Sequence, residues 1–436
     1  MRGAILLANV IPRDTYLNRL IDKKENGQIK VITGVRRCGK SFLLFTLYYD
    51  YLIRQGVKKE QIIQVSLDDD LYVQYRDPAA LSAYIRSRIV NREMYYVFID
   101  EVQYAISKEE IKNPEEIRLY NVLNGLMRLH NVDLYVTGSN SKLLSKDVMT
   151  AFRGRGDELE VHPLSFREYY HFTGGDKAEA YETYAMYGGM PLAILKKSDE
   201  EKVQYLQSLF QEVYFKDITE RYEIALEDVL EELTDALFSA IGSLTNASKI
   251  ANTLQTVKRI HVSANTIATY LDYLTDAFLF QKARRYDVKG KKYFEYPYKF
   301  YANDVGLRNA RLNFRQQEET HIMENIIFNE LRSRGYAVDV GVVEIFERNE
   351  EKKLTKKQCE IDFVVNKGSK RYYIQSAFNA SAREKMETEI RPLKNTKDFF
   401  KKIMITKSAA KPWNDEDGIL HLGLYDFLLR EDALDY

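Results

Sequence analysis

The chain has 436 residues, 64 Lys+Arg against 64 Asp+Glu and a formal net charge of zero, with 45% apolar and 29% charged residues. At about 100–200 residues per domain this length implies two to four domains, and the composition excludes a largely disordered chain. Two cysteines, Cys38 and Cys359, exclude a disulfide framework and a four-cysteine zinc site, and the zero balance excludes a uniformly basic coat for nucleic acid.

Residues 1–12 hold one Arg and a short apolar run without a cleavage pattern, and no stretch approaches the ~20 apolar residues that span a bilayer. The expectation is a soluble, cytoplasmic protein with no membrane partner. Over residues 1–165 short β-branched or aromatic runs (29–33, 62–67, 95–99, 134–137 and 159–161) alternate with helical patterns. Runs with so little alternation suit strands buried on both faces of a parallel sheet, which makes this an α/β layered domain. Residues 166–244 show no strand pattern and read as helices at 168–172, 177–187, 201–214 and 226–244. In the last, Leu230, Leu233, Leu237, Ile241 and Leu244 share a stripe.

Residues 245–312 read as a helix-turn-helix with a β-wing. A short helix at 248–254 precedes one capped by Ser263, whose apolar face is Ile267, Tyr270, Leu271, Leu274 and Phe278. Strands at 279–285 and 293–296 flank a turn at Gly290. Residues 313–436 are again mixed: a helix at 319–334, strands at 337–340, 342–348, 361–365, 371–374 and 401–405, and a helix at 424–429. The charge run 350–357 reads as a solvated loop.

Four segments carry chemistry. Gly34-Val35-Arg36-Arg37-Cys38-Gly39-Lys40-Ser41 follows a strand and opens a helix at Phe42, the context that a phosphate-binding loop requires. Its glycines let backbone N–H groups curl around an anion, and the helix N-terminus adds partial positive charge. Lys40 then reaches the β- and γ-phosphates and Ser41 holds Mg²⁺. Downstream, the run ending in Asp100 and Glu101 supplies a carboxylate for Mg²⁺ (Asp100) and one to polarise the attacking water (Glu101). Ser139 and Asn140, after the strand at 134–137, can sense the γ-phosphate or position water. Finally, Phe152-Arg153-Gly154-Arg155-Gly156 offers an arginine to stabilise charge in phosphoryl transfer, Arg155 before Arg153, in cis or from a neighbouring subunit.

Taken together, the phosphate loop, Ile99-Asp100-Glu101 and Thr137-Gly138-Ser139-Asn140 resemble the core of AAA-type ATPases. Gly154-Arg155, His162-Pro163-Leu164-Ser165-Phe166-Arg167-Glu168 and Tyr187-Gly188-Gly189-Met190-Pro191 narrow the resemblance. It becomes one to the prokaryotic AAA-like, signal-transducing P-loop ATPases with a C-terminal domain of unknown function. The resemblance implies a five-stranded core in which the Thr137 strand lies between the loop strand and the Asp100 strand. It also implies ATP hydrolysis with ATP and Mg²⁺ as ligands, and an adenine contact at Pro191. A winged helix fits it as well, through Asn265-Thr266-Ile267 and Tyr301-Ala302-Asn303-Asp304-Val305-Gly306-Leu307.

Residues 245–300 contain ten Lys+Arg and four Asp+Glu, a local balance of +6. Lys282, Arg284, Arg285, Lys289, Lys291 and Lys292 crowd the wing, a footprint suited to phosphate-backbone contact, so DNA is an expected partner of one face only. A protein partner or a homo-oligomer is the other expectation. In the C-terminal region Glu324, Asp362 and Gln375-Ser376-Ala377 resemble a restriction-endonuclease-like metal site. Ala377 occupies the position where that site needs a lysine, and residues 372–382 hold no Lys or Arg to replace it. The leading expectation is therefore an ATP-hydrolysing molecular switch. A nucleotide-responsive DNA-binding regulator and a metal-dependent nuclease stand behind it.

Overall fold

A computed structural model describes residues 10–107, 109–110, 113, 116–139, 156–295, 297–316, 318–348, 354–378, 383–408 and 411–436. The chain divides into two compact units, Met1–Pro163 with Asp276–Phe278, and Leu164–Thr275 with Leu279–Tyr436. Among the described residues no helix is long and apolar enough to cross a membrane.

In the first unit helix α1 (Asp14–Asp22) precedes β1 (Ile29–Gly34). Helix α2 follows as Lys40–Phe42, a π-helical stretch Leu43–Tyr48, and Tyr49–Arg54. The remaining elements are β2 (Ile62–Ser66), α3 (Pro78–Arg88), β3 (Tyr95–Asp100), α4 (Arg118–Met127), β4 (Val132–Thr137) and β5 (Gly156–Val161). The five strands form one sheet in the order β2-β3-β4-β1-β5, with every pairing parallel. β4 thus lies between β1 and β3, as the resemblance implies. Every residue of β1 and β3 is buried, which explains why they show so little polar alternation; the exception in β1, Lys30, is buried as an ion pair with Asp133 of β4. One face packs Ile29, Val31, Val97, Ile99 and Val136 against Leu81, Ile85, Leu119 and Leu123 of α3 and α4. In the register, Ile32 stands beside Thr137 and Ile99 beside Val136. The ends of β1, β3 and β4 therefore come out together on the edge where α/β sheets bind ligands.

The second unit starts with helices α5 (Phe166–Thr173), α6 (Lys177–Tyr187) and the short α7 (Pro191–Ile194). Ser165 and Glu168 form a capping box that starts α5. Helix α8 (Asp199–Ser208) runs on through Leu209–Phe215 and Lys216–Tyr222, well past the expected end at 214. Helix α9 (Glu227–Ser239) ends before the expected 244, because Gly242 at φ +71° turns the chain into β6 (Leu244–Thr245). Then come α10 (Ala247–Thr253), α11 (Ala264–Asp276), β7 (Phe280–Ala283), β8 (Arg285–Asp287), β9 (Lys292–Tyr293) and β10 (Tyr298–Ala302). Strands β6, β10 and β7 make a small antiparallel sheet in that order.

The last elements are α12 (Val305–Arg311), α13 (Glu319–Ser333), β11 (Ala337–Arg348), β12 (Leu354–Lys367), β13 (Lys370–Ala377), α14 (Arg383–Lys394), β14 (Lys401–Thr406), β15 (Trp413–Asn414), β16 (Leu420–Gly423) and α15 (Leu424–Leu429). They form an eight-stranded sheet in the order β15-β16-β14-β13-β12-β11-β8-β9. Two expectations change here. The strands expected at 337–340 and 342–348 are one strand with a bulge between Asp339 and Gly341. A side chain at Gly341 would lie 2.8 Å from Val364, so the glycine permits close strand contact rather than breaking the strand. The run 350–357 is not all loop: Leu354 to Lys357 pair with Arg348 to Ile345 as an exposed extension of the hairpin. With both faces in water such a stretch has no apolar period to detect. The hairpin β8–β9, where a wing is expected from the sequence, belongs to this large sheet, with β8 parallel to β11 (Arg285 beside Val340).

Candidate functional site

β1 ends in Gly34 at φ +134°, where a Cβ would lie 2.0 Å from the Val161 carbonyl oxygen, so no other residue fits. The chain then turns through buried Val35, exposed Arg37 at φ +62°, buried Cys38 and Gly39 at φ +100° into α2. Lys40 is 3% exposed and its Nζ donates to the carbonyls of Gly34 and Val35, each at 3.1 Å. The ammonium therefore sits inside the curl of the loop, with the N-terminus of α2 beneath it. Ser41 and Phe42, both half-buried, continue the first turn. The Cys38 Sγ donates to the Val161 carbonyl at 3.2 Å, and burial pushes its thiol up in spite of Lys40 and Arg13, which makes it an inert packing residue.

Arg13, which carries no motif, braces this loop. It is 3% exposed and donates to the carbonyls of Cys38 at 3.0 Å and His162 at 2.7 Å while lying over the Tyr16 ring. Tyr16 Oη in turn accepts from the His162 N–H at 3.2 Å. A lone arginine before a helix gives no pattern that sequence reasoning could use.

The acidic pair stands at the end of β3. The Asp100 carboxylate accepts from Thr137 Oγ1 and is hydrogen-bonded to Ser41. Burial raises the pKa of Asp100 and Glu101 pushes it further up, against the hydroxyls of Thr137 and Ser41. Glu101 takes the left-handed conformation (φ +51°), and its N–H donates to Thr137 Oγ1 at 3.1 Å. That backbone costs about 1 kcal/mol or more and turns the side chain out of the strand direction. The Glu101 carboxylate accepts from Gln103 Nε2 and faces Ser139 Oγ at 3.4 Å. Thr137 and Gln103 thus join the site beside the expected Ser139. Asn140, Arg153 and Arg155 lie outside the described residues.

The Ser41 hydroxyl and the carboxylates of Asp100 and Glu101 are hard oxygen donors of the kind Mg²⁺ takes. Among the described residues no group of three or more His, Cys, Asp or Glu is arranged to hold a metal alone, so Mg²⁺ here would need nucleotide oxygens as well.

Pro191 opens α7 in the second unit. The Gly188-Gly189 turn before it is tightly fitted. A Cβ at Gly188 would lie 2.3 Å from Asp304 Oδ1, and one at Gly189 would lie 2.2 Å from the Leu164 carbonyl oxygen. Asp304 caps α12 by accepting the Leu307 N–H at 2.9 Å and takes the Gly189 N–H at 2.7 Å. Asn309 Nδ2 donates to the carbonyls of Ala185 and Met186 at the end of α6. The Tyr187–Pro191 and Ala302–Leu307 segments are thereby one locked structure.

Burial pushes the Asp304 carboxyl from 3.8 up to about 6, against three backbone N–H groups. The folded chain therefore binds this proton more readily than the unfolded chain. The resulting stability is complete below 3.8 and is lost as pH rises through about 6. Asp304→Asn cannot titrate, so the stability of wild type relative to this variant should fall between pH 4 and pH 7. The gap between 3.8 and about 6 sets an upper limit of about 3 kcal/mol. Urea midpoints across that range measure it, and parallel pH profiles would refute the assignment.

Comparison with known proteins matches the family described as AAA domain over residues 26–170, and two domains of unknown function, DUF8612 over 178–318 and DUF4143 over 319–425. An uncharacterized protein of Haemophilus influenzae is 35% identical over 428 residues, covering 97% of this chain and 99% of its own. An uncharacterized protein of Methanocaldococcus jannaschii is 27% identical over 402 residues, covering 88% of this chain and 81% of its own. Of solved structures, the Aeropyrum pernix ORC1 protein in complex with DNA aligns at 15% identity over 70% of this chain and 93% of that one. Its TM-score of 0.29 is too low to support a functional comparison. The five-stranded parallel sheet, the loop cradling Lys40 and the match across almost the whole length of the Haemophilus relative agree. The chain belongs to the AAA-like P-loop ATPase family with C-terminal domains of unknown function.

Proposed function

We propose that the chain binds ATP with Mg²⁺ and hydrolyses it as a molecular switch. The observation that carries this reading is the convergence of Lys40 and Ser41, which follow β1, with Asp100 and Glu101 at the end of β3, the two parallel strands that flank β4. The backbone N–H groups from Gly34 to Phe42 would cradle the phosphates, and Lys40 would swing from the loop carbonyls onto the β- and γ-phosphates. Ser41 and Asp100 would hold Mg²⁺, which supplies charge neutralisation for the phosphates. Glu101, released from Gln103, would accept a proton from the attacking water. Asn140 would orient that water, Arg155 would stabilise transferred charge, and Pro191 would contact adenine. Hydrolysis would then reposition the winged helix of residues 245–312 and the C-terminal domain of residues 313–436 by way of the helical region 166–244.

Phosphate release from ATP by the purified chain checks this: turnover that needs Mg²⁺ and stops with a chelator is expected. Absence of phosphate release under all nucleotide and metal conditions would refute hydrolysis. Solution mass with and without ATP separates a homo-oligomer from a monomeric cytoplasmic switch.

DNA contact is a second reading, supported by the β8–β9 hairpin. Lys282 and Arg284 lie over the rings of Tyr298 and Tyr293, Arg285 donates to Gln358, and Lys289 donates to the Glu344 carbonyl. Lys292 on the outermost strand β9 and Lys291 in the turn before it stay exposed, and a lysine on an edge strand also discourages strand pairing between molecules. The same titration that measures binding separates these roles: a mobility shift that weakens with salt supports DNA contact.

A further inference from the structure

The centre expected from Glu324 and Asp362 contains a third carboxylate and a cation that the sequence does not place there. Lys299 on β10 extends its Nζ to Glu324 of α13 at 3.0 Å and to Glu360 of β12 at 2.6 Å. It is 4% exposed, and Glu324 and Asp362 are 7% and 8% exposed. Tyr301, also on β10, donates to the same Glu324 oxygen at 2.7 Å. Asp362 is held by Ser376, whose N–H and Oγ donate to one oxygen at 2.8 and 2.7 Å. Gln375 Oε1 accepts from the Asp362 N–H at 3.3 Å, and its Nε2 donates to Glu389. Behind Glu324 is Gly242, where a Cβ would come within 3.2 Å of the carboxylate.

Two carboxylates, Glu324 and Glu360, thus touch one buried ammonium, a third, Asp362, adds its charge nearby, and Glu360 keeps 32% of its side chain in water. Burial works to lower the Lys299 pKa, but Glu324, Glu360 and Asp362 outweigh it and hold the ammonium above its ordinary value. A charge in this setting is stable only while its counter-charges remain. The lysine also touches two of the carboxylates directly. The backbone of β10 is fixed to the same region, since Asn325 of α13 accepts the Ala302 N–H and donates to the Ala302 carbonyl.

We propose that Lys299 is the resident cation of this centre, an internal counter-ion that closes the site against divalent metal and fastens β10 to α13 and the large sheet. The C-terminal domain is then a lysine-neutralised joint and not a metal-dependent nuclease.

Mn²⁺ binding to the nucleotide-free full chain, followed by electron paramagnetic resonance, tests this. Wild type should hold no Mn²⁺ at the centre. Lys299→Met should gain one Mn²⁺, at least ~10-fold tighter than any wild-type binding, that is lost again when Asp362→Asn is added. Mn²⁺ bound to wild type but not to Asp362→Asn, or Mn²⁺-dependent DNA cleavage that Lys299→Met abolishes, overturns the proposal. So does a folded Lys299→Met chain that gains no Mn²⁺. Thermal melts cover a Lys299→Met chain that fails to fold. Lys299→Met combined with Glu324→Gln should melt above Lys299→Met alone, and a further loss on adding the second change overturns the ion-pair assignment.

Discussion

Lys40→Ala is expected to leave a folded chain that no longer binds ATP usefully. In the structure the ammonium is already inside the loop, donating to the Gly34 and Val35 carbonyls. It therefore has only to exchange those acceptors for phosphate oxygens. Hydrogen bonds to a charged group contribute roughly 1.5–3 kcal/mol each, so losing two of them weakens nucleotide binding by ~10²–10⁴-fold. Alanine is the best helix former and sits at the first helical position. A fluorescent-nucleotide titration and a circular dichroism melt on the same sample separate lost affinity from lost fold. Normal hydrolysis by a folded Lys40→Ala chain would remove the proposed site.

Glu101→Gln should do the reverse, keeping ATP and stopping turnover. Glutamine has the size of glutamate and can still accept from Gln103 and keep the Thr137 contact through its backbone N–H. It cannot take a proton from water. Removing a general base lowers kcat by ~10²–10⁴-fold, while the loop, Lys40 and Ser41 continue to hold the phosphates. Single-turnover phosphate release measured beside nucleotide affinity decides the matter. Unchanged turnover refutes the role of Glu101. Loss of affinity alongside turnover would assign Glu101 to binding instead.

The first unit was largely readable because its signals are local. Strands buried on both faces give short, mainly β-branched or aromatic runs with little alternation, and the phosphate loop is eight consecutive residues between a strand and a helix. Long-range partnerships carry no such mark. Arg13 supports the loop from 25 residues upstream of Cys38 and 149 upstream of His162. The sequence pattern puts the cation of the C-terminal centre on β13, next to Gln375, whereas Lys299 comes from β10 of another sheet. Gly341 and the polar start of β12 misled for a related reason. A glycine needed for close strand contact and a strand wet on both faces resemble loop when read one residue at a time.

The β8–β9 hairpin has a consequence for how this protein can be divided. The two matched domains of unknown function meet between residues 318 and 319, yet the hairpin lies on one side of that line and pairs with β11 on the other. That line is a boundary of sequence and not of folding. A fragment beginning at residue 319 would lack two strands of its own sheet and would present the bare edge of β11 to any passing strand. A piece of the chain that keeps this sheet whole must therefore contain both segments.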